Sequence, residues 1–299
     1  MRRDNLTKYL SKEKFDLDPL HNFFFTRDSS IVINQSVLIG KMASRVRQRE
    51  AVIMKTIFSH HPAFGTPTVE LNEQVENVCP ECTVEGGDIL VARNDILIIG
   101  NGARTSTHGI DRIIEYARLQ SSGRYHIIVQ ELPFTPESFI HLDMVFTLLD
   151  RDKFMAYEPL ILKKNRYQTV HIEIDNKRVK SIRDESSLPE ALRRLGMDME
   201  AVVCGGRKDQ WVQEREQWHS GANFFAIAPG KLLGYSRNTY TLEEMSGHGF
   251  EIITAKDVIN GKAHPDNYER CVIGIDGSEL SRGGGGARCM TMPISRDPL

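Results

Sequence analysis

A cysteine placed three residues after a run of four glycines is the first feature of this chain with chemical potential. Cys289 follows Gly283-Gly284-Gly285-Gly286-Ala287-Arg288 and precedes an apolar, strand-like Met290-Thr291-Met292-Pro293-Ile294. Four consecutive glycines neither sustain a helix nor pack side chains, so they predict a loop whose backbone closely approaches a partner. The thiol on its rim is expected to be an exposed nucleophile. Covalent chemistry at a thiol calls for an acid/base partner, and three other segments supply one along with carboxylates: Phe25-Thr26-Arg27-Asp28, Glu85-Gly86-Gly87-Asp88 and His141-Leu142-Asp143. At the two-residue period of a strand, His141 and Asp143 fall on one face.

A Cys/His pair suits attack by a thiolate with an imidazole moving protons. The surplus of carboxylates is less usual. Asp28, Glu85, Asp88 and Asp143, clustered and empty, would raise one another's pKa. A planar guanidinium relieves this, because its five N–H donors match carboxylates in pairs, and its charge stabilises a thiolate. A guanidino compound is therefore the expected substrate. Singly, each residue has a plain structural explanation: a turn cap for Asp28, a turn for Glu85–Asp88, a core histidine for His141, a small buried hydrophobe for Cys289. Together they weaken that explanation, since successive repeats would all begin with idle polar groups.

Those repeats are the elements that must position the chemistry. Strand, polar turn and strand recur at Ser29–Gly40, Gly87–Gly100, Leu142–Tyr157 and Ala222–Tyr235. Asn34-Gln35, Arg93-Asn94-Asp95, Asp150-Arg151-Asp152 and Pro229-Gly230 supply the turns. Helices lie between. Met42, Val46, Ile53 and Ile57 mark one apolar stripe, and Ile110, Ile113, Ile114 and Ala117 another. Ser187-Leu188-Pro189-Glu190 and Thr241-Leu242-Glu243-Glu244 read as capping boxes, with Gly196 stopping the first helix. The strand-like segment at Cys289 begins a fifth unit without a second half. If the units pack radially, their leading residues, Asp28, Glu85 with Asp88, His141 with Asp143, Asn223 and Cys289, point at one centre.

The 299 residues carry 38 Lys and Arg against 40 Asp and Glu, a near-neutral balance that implies no nucleic-acid partner. A hydrophobic content of 40% allows a large core and excludes disorder. No apolar run reaches membrane-spanning length and none follows the basic N-terminus as a secretory signal would require, so no membrane partner is expected. Five scattered cysteines, at 79, 82, 204, 271 and 289, read as reduced thiols in a cytoplasmic setting. Cys79-Pro80-Glu81-Cys82 lacks the second ligand pair of a structural zinc site, so no metal is expected there.

The ordered segments NFFFTRDSS (22–30), RVRQRE and IFSHHP (45–62), EGGD (85–88), GNGARTS (100–106), HLDMVFTLLD (141–150), REQW and GANFFAIAPG (215–230), YSRNTYT (235–241) and RGGGGARCMTMPI (282–294) resemble the arginine deiminase family of guanidino-group-modifying (pentein) enzymes. The resemblance covers nearly the whole chain. It implies one catalytic α/β domain over residues 1–299, a five-fold pseudosymmetric α/β propeller, hydrolysing L-arginine to L-citrulline and ammonia with no metal or organic cofactor. By motif, Cys289 matches the nucleophile, His141 the general acid/base, Asp28 and Asp143 the carboxylates on the guanidinium, and Glu85 the one orienting the histidine. Asn22, Phe25, Arg47 and Arg104 match positions around the amino-acid end, the two arginines pairing its carboxylate, and Asp88 is grouped with them as substrate-binding.

Two departures qualify the match. Family members are longer, with an N-terminal strand and helical insertion ahead of the FTRD segment, so the blade that Cys289 closes is expected to be incomplete. Its unpaired edge would invite pairing with another chain, a homo-oligomer. Some bacterial relatives carry an arginine where this chain has Gly284. Another guanidino substrate, amidino transfer, or an inactive arginine-binding homologue are the alternatives.

Overall fold

All four expected hairpins form, and each feeds a helix that returns the chain to a sheet. The computed structural model describes residues 5–10, 19–65, 67–70, 82–121 and 123–297; Cys79, Pro80 and Glu81 of the C-x-x-C segment and the first four residues lie outside them. In the first unit, β1 (Ser30–Ile33) and β2 (Ser36–Ile39) pair antiparallel, and the helix Gln48–His60 leads to β3 (Thr68–Glu70), parallel to β2. Asn34 makes the turn with φ at 52°, a left-handed conformation that asparagine tolerates. The second unit repeats the plan with β4 (Ile89–Arg93), β5 (Ile96–Asn101), the helix Thr107–Gln120 and β6 (Tyr125–Glu131).

The third unit holds β7 (Phe146–Leu148) and β8 (Lys153–Ala156). It is interrupted by a hairpin, β9 (Thr169–Asp175) and β10 (Arg178–Glu185), which pairs with β6 of the preceding sheet. The helix Leu188–Arg194 then leads to β11 (Glu200–Val203), parallel to β8. In the fourth unit, β12 (Phe225–Ala228) and β13 (Lys231–Tyr235) precede the helix Thr239–Gly247 and β14 (Glu251–Thr254). β15 (Cys271–Ile275) inserts between β13 and β14, parallel to both. The fold is mixed α/β, as the alternation of periods predicts.

β5 shows how neighbouring units are joined. Its Ile96 and Ile98 pack with Phe146, Phe154 and Leu188 of the third unit, while Leu97 and Ile99 pack under Ile110 and Ile113 of the following helix. A strand buried on both faces needs an unbroken apolar run, which Ile-Leu-Ile-Ile provides. Each such side chain contributes about 1.5–3 kcal/mol of burial.

Local details differ from the expectation in four places. The helical stripe of the first unit is out of phase: a 3-10 turn at Arg45–Arg47 precedes the helix, so Ala51, Met54 and Phe58 face inward and Val46 is exposed. A 3-10 turn has three residues per turn rather than 3.6, which rotates everything after it. Ser187 caps its helix as predicted, accepting from Glu190 N–H, but Thr241 lies inside a helix that starts at Thr239. Its hydroxyl is instead bonded to buried Glu216. Met290–Ile294 is not a strand: Met290 N–H donates to Gly286 O and Thr291 N–H to Arg288 O, so the chain turns over residues 287–290 and runs on without regular structure. Finally, His141 and Asp143 belong to a 3-10 turn, Leu142–Met144 with His141 as its cap, and not to a strand. Among the described residues no helix is long and apolar enough to cross a membrane.

Candidate active site

Turns just ahead of the first strand of each unit carry the polar residues. Asp28 sits in the turn before β1, Glu85 caps the 3-10 turn Gly86–Asp88 before β4, His141 caps the turn before β7, and Asn223 stands two residues before β12. The glycines of Glu85-Gly86-Gly87-Asp88 serve close approach. A Cβ on Gly86 would lie 2.1 Å from the Arg27 carbonyl oxygen, and one on Gly87 would lie 2.5 Å from the His141 ring. Gly86 N–H also donates to Asp28 O at 2.9 Å. Two small residues thus let the first and third units press against the second.

Around His141, Nε2 is 2.9 Å from Glu85 Oε2 and Nδ1 is 3.7 Å from Asp28 Oδ1. The other Glu85 oxygen accepts Ala43 N–H at 2.9 Å. Asp28 Oδ2 accepts from Arg47 Nη1 at 2.7 Å, while Oδ1 has no hydrogen-bond partner among the described residues. Arg47 is committed further to Glu50, at 2.8 Å, and to Phe25 O. Asp88 lies behind this group, its Oδ1 accepting Leu142 N–H at 2.9 Å and so bracing the turn between His141 and Asp143.

Cys289 is buried, against the expectation of an exposed thiol, because Phe25 and Met144, with Ile140 and Met290, close over it. Its Sγ donates weakly to Asp143, 3.8–3.9 Å from the two oxygens. Asp143 Oδ2 accepts from Arg288 Nη1 at 2.6 Å, and Arg288 Nη2 donates to Ile89 O at 2.7 Å.

The fields follow from this packing. Burial alone works against a charged imidazole, but Asp28, the Glu85 hydrogen bond and Asp88 overcome it and lift His141 to about 10. Burial also opposes ionisation of Glu85, yet His141 and Arg104 hold that carboxyl below its usual range. Burial pushes Asp28 up, offset only in part by His141 and Arg47, and pushes Asp88 to about 7. Burial, then Asp143 and Asp28, raises the Cys289 thiol well above its ordinary value. The resting pair is imidazolium and thiol.

Asp28, Glu85, His141, Asp143 and Cys289 therefore share one buried region. Arg104 stands at its edge, half-exposed, 3.7 Å from Glu85. Asn22 is half-buried and its carbonyl accepts Phe25 N–H, shaping the turn that leads to Asp28. Sequence reasoning set Asn223 among the residues that point at one centre but gave it no task, and it gave Arg288 no place in the site, although adjacency to the thiol was the available signal. Asp28, Glu85 and His141 place one donor each within 4.8 Å of one another, a spacing a cation could use. Arg47 and Arg104 already balance the two carboxylates, so a dication there would meet two guanidinium groups.

Comparison with known proteins is consistent along the chain. The family model described as arginine deiminase matches residues 2–296. The arginine deiminase of Streptococcus uberis is 33% identical over 288 residues, covering 95% of this chain and 63% of that protein. The arginine deiminase of Staphylococcus epidermidis is 33% identical over 299 residues, covering 99% and 67%. The chain thus spans about two thirds of the length of these curated relatives. Among solved structures, unliganded AgrE superposes with a TM-score of 0.60 at 17% identity, over 93% of this chain and 31% of that one. The product-bound N-terminal domain of ArgZ, an arginine dihydrolase from the ornithine-ammonia cycle in cyanobacteria, gives 0.58 at 17%, over 92% and 76%. At that identity these structures speak for the fold alone.

Proposed function

The chain belongs to the arginine deiminase family, and from that premise we propose that it hydrolyses L-arginine to L-citrulline and ammonia through a covalent amidino-cysteine. One observation carries the reading: Asp28, beside His141, and Asp143, beside Cys289, each already hold a guanidinium, Arg47 on Asp28 at 2.7 Å and Arg288 on Asp143 at 2.6 Å. Both carboxylates are therefore shaped for this group. The substrate guanidinium takes the place of Arg288 on Asp143 and uses the unpartnered Asp28 Oδ1.

Burial is the larger part of what holds Cys289 as a thiol and the Asp143 and Asp28 fields add to it; the bound cation offsets the carboxylate part, so that the thiol releases its proton to solvent and the thiolate forms. The sulfur attacks the guanidino carbon, and His141, held protonated by Glu85 and Asp28, donates to the leaving nitrogen so that ammonia departs. The neutral imidazole then takes a proton from the attacking water, and collapse expels the thiolate to leave the ureido product. Glu85 orients His141, Arg104 is the candidate for the substrate carboxylate, and Asn22 and Phe25 shape the wall beside it. Arg47 secures Asp28, and Asp88 braces the His141 turn. Residues 1–299 form one domain in this reading, with the four ββαβ units and the Cys289 segment as the five parts of a propeller, in a cytoplasmic protein.

Incubation with L-arginine, with citrulline, ammonia and ornithine quantified, tests the proposal. Citrulline and ammonia from the native chain, lost in Cys289→Ala, support it. Ornithine favours two-step hydrolysis, calorimetric binding without turnover favours an arginine-binding protein, and product formation unaffected by Cys289→Ala overturns the mechanism.

A further inference from the structure

The backbone of Cys289 is held from both sides. Its carbonyl accepts Arg27 N–H at 3.1 Å, and its own N–H donates to Asn223 Oδ1 at 3.2 Å. The same Asn223 oxygen accepts Arg288 N–H at 3.0 Å. Two consecutive N–H groups converging on one oxygen set the peptide planes on either side of Arg288, and with them the direction of the Cys289 side chain. The other end of the amide donates to Asp143 O at 3.1 Å. Asp143 is the residue whose carboxylate lies 3.8 Å from the thiol.

One side chain thus ties the backbone of the nucleophile to the backbone of its neighbouring carboxylate, across 66 and 80 positions of sequence. The task needs an acceptor with two lone pairs and a donor in one planar group, which an asparagine amide supplies. It also needs room. Asn223 is buried at 1% exposure, and a Cβ on Gly286 would lie 2.6 Å from its Oδ1. The last glycine before Ala287 is there to let the amide in.

We propose that Asn223 is a positioning residue that sets where Cys289 Sγ stands relative to Asp143, and hence to the carbon it attacks. The kinetic part rests on the deiminase reading; the placement of the thiol does not. In Asn223→Ala, kcat with L-arginine falls by about 100-fold while KM stays within about threefold, the cost of misplacing a reacting atom by about 1 Å. Asn223→Asp keeps the acceptor for both N–H groups but loses the donor to Asp143 O and Met144 Sδ and turns an oxygen toward that carbonyl, so its loss is about tenfold.

Alkylation by iodoacetamide, followed peptide by peptide, supplies a readout that general loosening would not reproduce. Cys289 reacts at least about fivefold faster in the alanine variant because its turn is released, while fully buried Cys204 and Cys271 stay unreacted. Native-like kcat together with native-like Cys289 reactivity overturns the proposal, as does a gain in reactivity at all three cysteines in both variants. If the alanine variant alone does not fold, the aspartate variant decides by the same two readouts. A native chain that makes no citrulline would sink the deiminase reading, and the alkylation pattern would still judge Asn223.

Discussion

Glu85→Gln separates the charge on His141 from the grip on the substrate. Of the groups that raise the imidazole, Asp28 is proposed to touch the substrate directly, whereas Glu85 hydrogen-bonds to His141 Nε2 at 2.9 Å and Ala43 N–H at 2.9 Å and meets the substrate side only through Arg104, 3.7 Å away, whose loss of a partner is read separately as a change in KM. Glutamine can keep the Ala43 bond through its oxygen and turn its N–H toward the ring, which favours neutral imidazole. A hydrogen bond to a charged group contributes about 1.5–3 kcal/mol, or roughly 1–2 pH units. His141 should fall from about 10 to roughly 8–9. The direction for stability follows: because the folded value lies above the ordinary 6.5, the contribution of this group is complete below 6.5 and lost as pH rises through about 10. In the variant the loss comes earlier. Citrulline formation at saturating arginine, measured from pH 5 to 11, reads the proton on the general acid, and the alkaline limb should move down by the same interval. The His141 ring protons followed by NMR give the titration directly. An alkaline limb and a ring titration that both stay in place would refute the assignment of Glu85 as the group that holds the proton on His141.

Three further outcomes follow from the same packing. Asp88→Asn keeps the Leu142 bond and removes a carboxyl pushed from 3.8 to about 7; that penalty is absent below 3.8 and grows as pH rises through about 7, so the variant should melt higher at pH 8 by up to about 4 kcal/mol of stability and show no gain at pH 3.5. Arg288→Gln strips a buried carboxylate of its cation and should cost about 3–5 kcal/mol; thermal scans should show arginine restoring more stability to it than to the native chain, and an equal ligand shift would count against guanidinium exchange at Asp143. Gly87→Ala drives a methyl to 2.5 Å from the His141 ring and should depress kcat far more than KM, read from steady-state citrulline assays.

The chain alone determined the hairpins, the order of the units and which residues are the candidates for the reacting groups, because these are written locally. Period-two apolar runs, Asn34 and Gly230 at positive φ, and the Ser187 cap act over a few residues, and the motifs carry Cys289, His141 and the carboxylates in readable segments. Phase and contact were not local. The 3-10 turns that carry Glu85, Asp88, His141 and Asp143 depend on glycines facing Arg27 and His141 across the site, and no short window reports that pressure. Tertiary structure alone decided that Cys289 is buried under Phe25 and Met144, that Arg288 reaches Asp143 across 145 positions, and that Arg47 is taken up by Asp28 and Glu50. The reason is that burial and ion pairing are properties of the space between distant segments: the same thiol and carboxylates on an open loop would titrate ordinarily, whereas here burial holds the cysteine neutral and the carboxylates brought against the histidine keep it charged in spite of burial.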